Sequence, residues 1–159
     1  MKNIIKVGNI KDRKLVGSKR LWWDLDYNLA IIIRDSIREL AEKCQGYPMS
    51  FSNEEVDDDV TYQYWKDKLN YIADCFDTYL KEEVDLLSAE EATLYNQYLN
   101  SLKHTFKDSS DGSKKLEIQY DESIKEEYYK LCEKASEIKE EKLKEGLRLL
   151  TEHWGDLWD

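Results

Sequence analysis

Between Trp22 and Pro48 the chain reads WWDLDYNLAIIIRDSIRELAEKCQGYP, and within it Leu25, Leu29, Ile33, Ile37, Leu40, Ala41 and Cys44 recur at spacings of three and four. That period gathers them on one stripe of an α-helix. Ala30, Ile31 and Ile32 widen the stripe, so the middle turns are expected to sit centrally in the fold. Asp24 stands where an N-cap is wanted, Gly46 fits a C-terminal stop, and Pro48 forbids continuation. With one proline and six glycines in 159 residues, the chain has too few breakers for the many turns of an all-β fold.

Three further helices are expected. Tyr62, Trp65, Leu69, Ile72, Ala73, Phe76 and Leu80 form the inward stripe of a helix over about 60–85, with Lys66, Asp67, Lys68, Asp74 and Asp77 facing out. Ser88 and Glu91 make a capping box for a third helix, along which Leu94, Tyr95, Tyr98, Leu102 and Phe106 repeat. The turn-rich run KDSSDGS over 107–113 follows, the natural place for a flexible loop and a proteolytic nick. Leu116, Ile118 and Tyr120 alternate briefly, which permits a short strand. From Asp121 a long helix carries Ile124, Tyr128, Leu131, Ala135 and Ile138, then Leu143, Leu147, Leu150 and Trp154. The second set resumes after five residues, so a bend or a change of packing partner is expected near Glu141. The fold class expected is all-α: a compact bundle of about four helices, the last one long and either projecting or packing on a second copy. Residues 1–19 read as a basic arm or short strand, and 20–159 as a single helical domain.

A net charge of −10 disfavours direct binding to nucleic acid or to anionic lipid and favours a basic partner, or simply a soluble helical surface. Three well-separated cysteines, odd in number and without a CxxC pair, fit a reducing compartment. No apolar run has the length of a signal peptide core or a membrane span, so a cytoplasmic location is expected.

Glu39 with Glu42, and Glu82 with Asp85, repeat the one-turn carboxylate spacing that holds Mg²⁺ in all-α nucleotide pyrophosphohydrolases; in a chain this acidic the solvated-face reading is preferred. Asp57, Asp58 and Asp59 suit the positive end of a helix. His104 and His153 lack the partners of a catalytic or metal signature, and neither a catalytic residue, a metal nor a cofactor is assigned. Five tryptophans and eleven tyrosines exceed what the core of four helices needs, so some are expected at an interface. Trp22 aligns with the first stripe, whereas Trp23 points elsewhere. Arg34 and Arg38 sit one turn apart, where they can grip a phosphate or make surface ion pairs. The candidate binding residues are Trp23, Arg34, Arg38, Tyr47, Trp65, Tyr128 and Tyr129.

Trp23, Leu25, Asp26 and Ala30, the turn Gly46-Tyr47-Pro48, and then Trp65, Leu69, Ile72 and Phe76 give a pattern over residues 20–80. It resembles a group of small uncharacterised proteins of tailed bacteriophages. The resemblance brings no activity with it; it implies an accessory protein of phage type, of the kind that disarms bacterial immunity. The expectation is a non-enzymatic binding protein that occludes a host defence protein, with sequestration of a nucleotide immune signal as the alternative and Mg²⁺-dependent nucleotide hydrolysis as the second alternative.

Overall fold

A computed structural model describes residues 10–11, 14–15, 23–52, 55–108 and 113–157. The rest of the N-terminal arm, Trp22 and positions 109–112 of the turn-rich run lie outside the described residues. In chain order the elements are β1 (Ile10–Lys11), β2 (Lys14–Leu15), α1 (Leu25–Lys43), α2 (Asp58–Leu80), α3 (Ala89–Ser101), β3 (Lys103–Asp108), β4 (Lys114–Gln119) and α4 (Lys125–Glu152). The all-α expectation holds: four helices dominate the described residues, and the last is the longest. The strands form two antiparallel pairs, β1 with β2 and β3 with β4.

The chain divides into two compact units, residues 1–80 with 142–159, and residues 81–141. The boundary inside α4 falls at the point where the apolar spacing breaks.

In the first unit α1 and α2 run antiparallel, as their cross-helix pairs require: Asp26 with Tyr79, Arg34 with Asp77, Arg38 with Asp74, and Cys44 with Tyr62. The core between them holds Ala30, Ile37, Ala41, Cys44, Trp65, Leu69, Ile72, Ala73 and Phe76, closed from α4 by Leu149 and Leu150. The stripe read along α2 is therefore the buried one. Along α1 it is too long, for Leu25 and Leu29 are exposed and Asn28 and Ala30 are buried in that turn instead. Asp24 does occupy the N-cap, but in the left-handed region (φ 50°, ψ 52°) and without a side-chain capping bond. Nor does a left-handed glycine end α1. Its backbone turns extended at Cys44, whose carbonyl accepts from Tyr62 Oη at 2.6 Å, and a Cβ on Gly46 would meet no atom within 4 Å. At the start of α2 the Asp57 carboxylate accepts the Asp59 backbone N–H at 2.9 Å, with Asp58 and Asp59 in the first turn, which is the helix-start role expected of that acidic run.

The α2–α4 approach depends on Gly146. A Cβ there would lie 2.9 Å from Cys75 Cβ and 3.1 Å from Phe76 Cε2. Glycine costs about 1 kcal/mol in a helix interior, and here its absent side chain is what lets the two backbones close.

In the second unit α3 starts at Ser88 with the expected capping box, Ser88 N–H donating to Glu91 and Glu91 N–H to Ser88 Oγ. It ends at Ser101, so Phe106 is not its last inward residue; it lies on β3 and is exposed. The Glu91 carboxyl is held down to about 2 by the Lys134 ammonium, 2.6 Å away, and by Ser88. Because the folded state depresses this acid below its ordinary 4.5, its stabilising contribution is complete above pH 4.5 and drains away as the pH falls toward about 2. Glu91→Gln keeps a capping side chain and removes the charge. In an acid titration followed by helical circular dichroism, this variant is expected to lose part of the wild-type acid sensitivity between those limits.

Candidate interaction surfaces

Arg34 and Arg38 project from α1 onto α2 and meet carboxylates there. Arg34 bonds Asp35 at 2.8 Å and Asp77 at 3.2 Å; Arg38 bonds Asp74 at 3.0 Å and lies 3.8 Å from Asp77. The flanking acids, Asp35 first, raise Arg34 above its ordinary range. A phosphate entering here has to compete with the carboxylates that each guanidinium already holds. The ion-pair reading of the two arginines describes them better than the phosphate clamp.

Tyr47, from the Gly-Tyr-Pro turn, is half-buried and donates its hydroxyl to Asp58, which pushes the phenol up. The ring straps the turn to the first residue of α2. Asp26 accepts from Tyr79 Oη at 2.9 Å; that bond and one from the Tyr27 backbone hold its carboxyl below the usual range. Trp65 is 1% exposed, its ring 5.0 Å from Phe51 and 5.8 Å from His153, and so it belongs to the core and not to a binding surface. Trp23 is 76% exposed, as its place beside the stripe implied.

In the second unit five tyrosines gather. Tyr128 stacks on Tyr98 at 4.2 Å and tilts against Tyr95 at 5.0 Å, while Tyr120 and Tyr129 flank Tyr98 at 6.0 and 6.5 Å. Burial first, then its contacts with Cys132 and Tyr95, pushes the Tyr128 phenol far up, which keeps it neutral. Tyr128 is half-buried within this stack; Tyr129 is exposed.

A groove that the sequence reading missed runs between α2 and the C-terminal part of α4, within the first unit. It encloses about 370 Å³ and is lined by Tyr64, Asp67, Lys68, Tyr71, Glu145, Arg148 and Leu149. Buried Leu149 contributes apolar surface, and the two tyrosines are exposed. Each ring already carries a cation over its face, Lys68 Nζ at 5.2 Å from Tyr64 and Lys142 Nζ at 5.4 Å from Tyr71. Arg148 is gripped by both oxygens of Glu145, at 3.0 and 3.1 Å, and by Glu152 at 2.8 Å. Tyr64 and Tyr71 stand seven residues apart on the flank of α2 beside its buried stripe, and that spacing was the available signal.

The carboxylate pairs Glu39–Glu42 and Glu82–Asp85 gain no third ligand: among the described residues no three of His, Cys, Asp and Glu come together as a metal site. Among the same residues no helix is long and apolar enough to cross a membrane. No family model, no curated protein and no solved structure matches the chain.

Proposed function

We propose that this protein works by binding a basic protein partner, in the manner of a phage accessory protein that occludes a host defence component, and that the α2–α4 groove is where it takes hold. The observation that carries this reading is the pair of exposed tyrosines, Tyr64 and Tyr71, each with an ammonium over its ring beside an apolar floor. Ring faces that accept lysine from within the chain accept an arginine or lysine from outside it on the same physical ground. Asp67 lines the groove beside the two rings, and the net charge of −10 favours the approach of a cationic partner to the protein as a whole. Sequestration of a nucleotide signal has weaker support, because the two arginines it would use are already engaged by Asp74 and Asp77.

The test is titration with an arginine-rich peptide, followed by calorimetry and by amide chemical shifts. Binding is expected at low salt, weakening as salt rises, with shifts centred on Tyr64, Lys68, Tyr71 and Arg148. Tyr64→Ala with Tyr71→Ala is expected to reduce the affinity at least tenfold, about 1.4 kcal/mol, while the melting temperature stays near that of the parent. A defence protein retained from bacterial lysate by the parent and released by the double variant extends the result to a natural partner. Absence of peptide binding at low salt, or a thermal shift with cyclic dinucleotides and none with the peptide, overturns the reading.

A further inference from the structure

Among the described residues, the β3–β4 hairpin presents an apolar face that stays exposed. Its register pairs Phe106 with Leu116, His104 with Ile118 and Asp108 with Lys114 on one face; Thr105 with Glu117, Lys107 with Lys115 and Lys103 with Gln119 fall on the other. Phe106 is 69% exposed, Leu116 46% and Ile118 48%. Every other strand residue is exposed as well, save Glu117, which Lys107 holds at 2.7 Å on the polar side. A lone two-stranded hairpin is marginal in water, and the usual remedy is cover over its apolar face. Phe106 and Leu116, directly opposed, form the centre of a small hydrophobic patch.

We propose that this face is the surface through which two copies of the chain associate. The distribution of charge selects that occupant. Two chains of net charge −10 repel one another over most of their surface. The hairpin strands reverse the sign, with Lys103, Lys107, Lys114 and Lys115 against Asp108 and Glu117. Three of those lysines lie on the polar face, which is where an acidic or nucleic-acid partner would be drawn. The apolar face keeps one residue of each sign, Asp108 and Lys114, so it is neutral and matches a copy of itself. Across a two-fold axis a residue pair that meets once meets twice, and the aspartate of one copy has the lysine of the other to answer it. A six-residue strand is about 20 Å long, so two strands offer far less than the roughly 800 Å² per partner of a standard stable interface. The association is accordingly weak and concentration-dependent.

Sedimentation of the full chain from low micromolar to millimolar concentration tests this. The mass is expected to rise from 18.9 kDa toward twice that value, with concentration-dependent amide shifts at His104, Phe106, Leu116 and Ile118. Phe106→Glu is expected to weaken the self-association at least tenfold. Leu116→Thr, which keeps a strand-forming residue, weakens it less, and Thr105→Ala on the opposite face leaves it intact. The proposal fails if the parent stays monomeric throughout, if Phe106→Glu associates as strongly as the parent, or if the shifts on concentration lie away from the hairpin. These readouts are separate from peptide binding in the α2–α4 groove, so either result stands whatever the other gives.

Discussion

Truncation of Trp65 to alanine is expected to remove about 3–5 kcal/mol of stability, the usual cost of emptying a large aromatic site in a packed core, and much of the margin a domain of this size has. The ring is almost wholly enclosed, with Phe51 and His153 against it. Its removal strips contacts from the 3-10 turn over Met49–Phe51 and from the segment just after α4 together. Trp23→Ala, at a highly exposed ring, is expected to stay within about 0.5 kcal/mol. Chemical denaturation of the two variants side by side distinguishes a structural tryptophan from a surface one. A Trp65→Ala variant with unchanged midpoint would show that the ring contributes no packing to the core.

The second large effect belongs to Gly146. Valine there is expected to cost roughly 3 kcal/mol or more, since overpacking a tight contact typically costs 1–3 and the nearest obstacle, Cys75 Cβ, is fixed to the α2 backbone and cannot swing aside. Alanine is expected to cost less, because about 1 kcal/mol of helix propensity offsets part of the clash. Cys75→Gly removes the obstructing atom, so the double variant Gly146→Ala with Cys75→Gly should lose less than the two single losses added together. Thermal melting of the four proteins gives the cycle; simple additivity would show that the two positions do not touch.

The helices were legible because burial on one side of a helix writes a period into the chain, and α2 shows it cleanly from Trp65 to Phe76. The Ser88 cap was legible because capping chemistry is local. Periodicity does not say where a packing partner stops, and Leu25 and Leu29 continue the α1 stripe past the end of its cover. It also failed at Phe106, which sits at a helical spacing from Leu102 although the chain has turned to strand. What holds it there is pairing with Leu116 across the turn, a relation between segments that no single window displays. The groove was hidden for the same reason, since Tyr64 and Tyr71 meet residues of α4 more than seventy positions away. Among the candidate residues Trp23 and Tyr129 lie exposed as a surface role requires, Tyr47 and Tyr128 are half-buried in contacts of their own, and Trp65 is core. Arg34 and Arg38 stay on the surface as ion pairs. Gly146 had a faint signal, a lone glycine in an otherwise helix-favouring run.

The division of the chain at residues 80 and 141 also sorts its chromophores. The described tryptophans, Trp23, Trp65 and Trp154, fall in the first unit, while residues 81–141 contain tyrosines and no tryptophan at all. Emission excited at the red edge of the indole band thus watches one half of the molecule, and the near-ultraviolet tyrosine signal of Tyr95, Tyr98, Tyr120, Tyr128 and Tyr129 contains what the other half adds. If the two traces cross their midpoints together on heating, the halves melt as a single cooperative body; if they part, the chain unfolds in two steps.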